Sequence, residues 1–122
     1  MRTVILCLAL TGCSLDIFGP DYENRRPLAA PPEYAVWWAL VEECLGTTSD
    51  FARVRWFVAD AIRVGGAAHR GVTDLPHTVT VRADHVLTEW LVRHEAEHVI
   101  RRVGNEAHDR DGHLLCEVDA IS

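Results

Sequence analysis

Residues 90–100, WLVRHEAEHVI, constrain this chain more than any other stretch. His94 and His98 stand four apart, about one turn of an α-helix, on a stripe that Leu87 and Leu91 make apolar. Polar rings on an inward-facing stripe cost free energy unless something satisfies them. Either they are core histidines with partners in the fold, or both grip one metal ion at about 2.0–2.1 Å. Glu95 is turned about 100° from His94, so it can touch a water at such an ion without being a ligand itself. The arrangement is H-E-x-x-H, and the metal reading fits it better.

A catalytic ion needs a third protein ligand and one open position. Downstream of the motif, His108, Asp109, Asp111, His113 and Glu117 offer donors. A third histidine six residues after His98 is excluded, because position 104 is Gly. His108 follows soon after Gly104 turns the chain back and is the expected third ligand, with His113 the alternative. A neighbouring acid is expected to orient one of the imidazoles.

The rest of the chain supplies a scaffold for that helix. Pro31-Pro32 opens a first helix over 33–45, with Val36, Trp37, Leu40, Val41 and Cys44 at three-four spacing and Gly46 as its stop. FARVRWFVAD, 51–60, alternates through Val54, Trp56 and Val58 as a half-buried strand. Residues 64–71 read as a patternless loop, and HTVTVRA, 77–83, as a second strand. Asp84 is placed as the N-cap of a helix over 85–103, ended by Gly104. Helix, strand, strand, helix and a C-terminal coil describe a small α+β domain. The four tryptophans, 37, 38, 56 and 90, fall at packing positions.

A composition of 48% hydrophobic and 25% charged residues is that of an ordinary folded domain. Net charge is -6, every basic residue is an arginine, and Arg25-Arg26 and Arg101-Arg102 are pairs of the kind found on solvated faces. Nothing here neutralises a run of phosphates, which argues against nucleic acid as a partner. The start is different: Met1-Arg2, then the short apolar run TVILCLAL, then Leu10-Thr11-Gly12-Cys13. The run is too short to span a bilayer. This stretch resembles a signal peptide, 1–12, ending in the lipobox of bacterial lipoproteins. The resemblance implies that Cys13 is lipidated and that 13–32, rich in Pro, Gly and charge, is a tether to a domain at 33–122. Cys7 would leave with the signal, so Cys44 and Cys116 remain as an even pair in an oxidising compartment, and a disulfide between them is expected.

From Cys13 to about Cys116 the chain resembles small bacterial lipoproteins with a zincin-type domain. The matching stretches are YAVWW, VEEC, DFARVRWFV and LVRHEAEH, followed by a histidine and a final cysteine. The resemblance implies a zincin-like fold with one zinc ion on His94, His98 and His108, and Glu95 as general base. It implies a metallopeptidase of the cell envelope acting on peptide or protein substrates, and Ser14 after Cys13, which carries no inner-membrane retention signal, points to the outer membrane where one exists. Glu97 departs from the apolar residue common in zincins and is expected to add negative charge near the site. Substrate would add as a strand along 79–82, with 64–71 covering it, and Tyr34, His69 and His113 are candidates to stabilise the oxyanion. The alternative is a non-catalytic envelope lipoprotein with a structural metal site or an interaction role.

Overall fold

A computed structural model describes residues 19–109 and 112–116. The signal segment, Cys13, Asp111 and Glu117 lie outside them. The molecule is α+β; the described residues form two α-helices and two sheets, with a disulfide between Cys44 and Cys116, whose Cα atoms are 6.0 Å apart.

The first helix, α1, spans Pro32–Leu45, and Gly46 takes the left-handed conformation (φ 70°) that lets its N–H reach back to the carbonyls of Glu42 and Glu43. Its inward face carries Tyr34, Trp38 and Val41. The inward set is shifted from the one expected, since Val36 and Leu40 are exposed. A 3-10 turn at Phe51–Arg53 leads into the strand Arg55–Ala59 (β3), which buries Trp56 and Val58.

The segment read as a loop, 64–71, is half strand. Ala61–Val64 (β4) and Ala67–Ala68 (β5) form a hairpin through Gly65 and Gly66, both at positive φ, as a two-residue turn of that kind requires. Gly71–Asp74 (β6) then pairs antiparallel with Thr78–Arg82 (β7). Part of the expected tether is also folded. Pro20–Glu23 (β1) pairs with β4, and Arg26–Pro27 (β2) pairs with β3. Arg25 and Arg26 remain on the solvated face, as expected, and also fasten it. The Arg25 guanidinium lies 3.8 Å from the centre of the Phe57 ring and donates to Thr80 Oγ1 at 3.1 Å. Arg26 pairs with Asp60 at 2.9 Å, and Asn24 donates to the same carboxylate, which together hold its pKa below the ordinary value.

One sheet has the order β1-β4-β5 and the other β2-β3-β7-β6, with β3 and β7 parallel. The second helix, α2, spans Glu89–Arg101 and packs on β6, β7 and α1. It starts later than 85: Ala83–His85 form a 3-10 turn, Thr88 is the cap position, and Asp84 chelates the Arg82 guanidinium instead of capping. Arg102, not Gly104, is the left-handed residue at its end. Because α2 begins after Leu87, that side chain is outside the stripe and 63% exposed, while Leu91 is buried. The core between the helices and the four-stranded sheet comprises Tyr34, Trp38, Val41, Trp56, Val79, Val81, Leu91, Val92, Ala96 and Val99. Among the described residues, no helix is long and apolar enough to cross a membrane.

Candidate metal centre

The inner half of α2 presents His94 and His98 one turn apart. After Arg102 reverses the chain, a 3-10 turn at Asn105–Ala107 brings His108 back over them. Nε2 of His108 lies 3.0 Å from Nε2 of His98 and 3.0 Å from Nε2 of His94. Three imidazole nitrogens converging on one point are the donor set of a metal site, and the three residues can hold an ion. Bonds of 2.0–2.1 Å at tetrahedral angles would separate the nitrogens by about 3.3–3.4 Å, so His108 needs to draw back from each of its two neighbours by only a few tenths of an ångström.

The ring of His98 is fixed from behind. Its Nδ1 donates to the carbonyl of Val103 at 2.8 Å, which leaves Nε2 as the lone-pair nitrogen facing the cluster. That acceptor is a backbone carbonyl. Burial lowers the pKa of His98, partly offset by the same carbonyl, and so favours the neutral ring a metal requires.

Glu95 is nearly buried and borders the same cavity as His94, His98 and His108. The hydroxyl of Thr73 donates to its Oε1 at 2.7 Å, and Gly71 lets the strand come close to it. A Cβ at Gly71 would lie 3.1 Å from Leu91 Cδ1 and 3.3 Å from Glu95 Cγ, tighter than ordinary packing. Thr73 and Gly71 are site residues that the sequence pattern did not single out. Their only signal is a short glycine-led run before Pro76.

Other expectations are corrected. His113 is not in the metal-competent group; its backbone N–H donates to Asp109 Oδ1, and its side borders an outer arm of the cleft with Arg70 and Trp90. Tyr34 is fully buried, donates its hydroxyl to the Val86 carbonyl at 2.6 Å, and has its pKa raised by burial, so it packs rather than faces the cavity. His69 does border the cleft. Glu97 points away from the histidines. It is fully buried and accepts from the N–H groups of Leu115 and Cys116 at 3.0 and 2.9 Å and from Arg101 at 3.0 Å. Its charge therefore fastens the C-terminal segment instead of facing substrate.

Residues 79–82 are not a sheet edge, since β7 lies between β3 and β6. The edge is β6. Arg82 N donates to Arg70 O at 2.8 Å, which makes 70, 72 and 74 the positions whose amides face β7. Antiparallel alternation then leaves the N–H and C=O groups of Gly71 and Thr73 on the outer side. Comparison of the chain with protein-family models, curated proteins and solved structures gives no match.

Proposed function

We infer that this chain is a zinc-dependent peptidase of the zincin type, held at the bacterial cell envelope through a lipid on Cys13. The observation that carries the reading is the convergence of three Nε2 atoms beside a buried glutamate whose carboxylate is held by Thr73. Three imidazoles are the ligand set of a catalytic zinc, and the histidines open onto a cavity of about 240 Å³. A closed structural site would need a fourth protein ligand, and among the described residues the metal-competent group is the three histidines alone.

When bound, zinc supplies Lewis acidity and brings the pKa of its water to about 7. Glu95 accepts the proton released as water attacks the peptide carbonyl, then passes it to the departing amine. The Thr73 hydroxyl keeps its carboxylate from turning away. The outer amides of Gly71 and Thr73 align an extended peptide along β6, above the histidines.

The test is metal content together with cleavage. The full chain should hold one zinc, and His94→Ala should lose it. Glu95→Gln should retain zinc while peptide hydrolysis falls by at least about 10²-fold. Undiminished cleavage by Glu95→Gln, or X-ray absorption showing four protein ligands, refutes the peptidase reading.

A further inference from the structure

Strand β6 carries opposite charges at its two ends: Arg70 immediately before it and Asp74 as its last residue. Four steps of about 3.3 Å separate them by roughly 13 Å, the span of a short extended peptide. A peptide laid antiparallel to β6 enters at Asp74 and leaves at Arg70. Its C-terminal half then faces the cation, and its N-terminal half the acid. Either end would repel a peptide whose charges ran the opposite way.

Arg70 is suited to reading a charge. It borders the outer arm of the cleft together with His94 and Glu95, so it acts close to the candidate chemistry. Its guanidinium lies 5.6 Å from the centre of the Trp90 ring, which gives it a resting place over an aromatic face. Among the described residues no carboxylate pairs with it. Arg82, the other arginine of that arm, is already spoken for by Asp84 through two contacts of 2.6 and 3.0 Å. Guanidinium and carboxylate match in a two-point fork.

We propose that the cleft selects peptides bearing a carboxylate on the C-terminal side of the bond it cleaves, and that Arg70 determines this specificity. The proposal rests on the peptidase reading above. The carboxylate is either an acidic side chain or the free end of a short peptide, and the same experiment separates these sources.

The zinc-loaded Glu95→Gln chain, which binds without cleaving, is titrated calorimetrically with three hexapeptides of one sequence. One carries Glu and an amidated C-terminus, one Gln and an amidated C-terminus, and one Gln and a free C-terminal carboxylate. One carboxylate peptide should bind about tenfold tighter than the neutral one, as a charge-assisted pair in a partly open cleft does, and which one does so names the source. Adding Arg70→Ala should erase the difference, and Arg70→Glu should reverse it in favour of a Lys peptide. Equal binding of all three, binding of none, or a preference that survives Arg70→Ala overturns the proposal. Cleavage of the neutral peptide by the chain with Glu95 intact would keep the peptidase reading standing in that event. Carboxylate-selective binding with no cleavage of any peptide would instead refute the peptidase reading and leave the recognition by Arg70 intact.

Discussion

Replacing Glu97 by Gln changes one oxygen for an NH2 group with little change in shape, at a side chain with no solvent exposure. In the native protein Oε1 accepts from Cys116 N and Oε2 accepts from both Leu115 N and Arg101. An amide has one acceptor oxygen, so it can serve only one side of that arrangement, and its NH2 then faces donors. At least one buried backbone N–H loses its partner, and the contact with Arg101 loses its charge. An unmet buried donor costs about 1–3 kcal/mol, and the Arg101 pair adds less because that side chain is 28% exposed. A total of about 3 kcal/mol corresponds to a drop in Tm of roughly 12 °C or more for a domain near 100 residues. The assay is thermal unfolding followed by circular dichroism, with the disulfide intact and a chelator present, so that neither redox state nor metal binding contributes. A Tm within about 2 °C of the wild type would show that Glu97 does not hold the C-terminal segment, and the argument for its burial would fail.

Two further outcomes are expected. Reducing the Cys44–Cys116 bond, or replacing both cysteines by Ser, opens a loop with a sequence separation of 72; the chain-entropy cost is about 4 kcal/mol, and a reduced protein melting where the oxidised one does would contradict it. Thr73→Val removes the donor to Glu95 Oε1 without changing shape, and should lower kcat/KM about tenfold at unchanged zinc content; a fully active variant would show that Glu95 is positioned by something else.

The legible parts of this protein are those written in local chemistry. His94 and His98 declared themselves because imidazoles four apart on an apolar helix face admit few explanations, and His108 because a turn soon after the helix limits where the chain can go. The Cys44–Cys116 bond followed from cysteine number once Cys7 and Cys13 were assigned elsewhere, and the bond is present. What the pattern hid depends on partners distant in sequence. The strands β1 and β2 are short edge strands held by Arg25 on Phe57 and Arg26 on Asp60, contacts that span more than thirty positions and leave no periodicity. The β4–β5 hairpin did carry a signal, Gly65-Gly66 between two short runs, but Ala67-Ala68 is too brief to show alternation.

Glu97 shows most clearly why a motif does not by itself fix roles. One position from His98 in sequence, it is turned about 100° around α2, enough to face Cys116 rather than the cavity. The same helix therefore serves two tasks on two faces. One face offers His94 and His98; the other, through Glu97, holds the segment that closes the disulfide to α1. His108 lies between these anchors, with the Val103 carbonyl steadying His98 at the near end and Cys116 pinned at the far end. A third ligand delivered by a short coil can be positioned as firmly as one on a helix when both ends of that coil are tied to the helix bearing the other two. Loosening either tie should then weaken metal binding without touching a ligand.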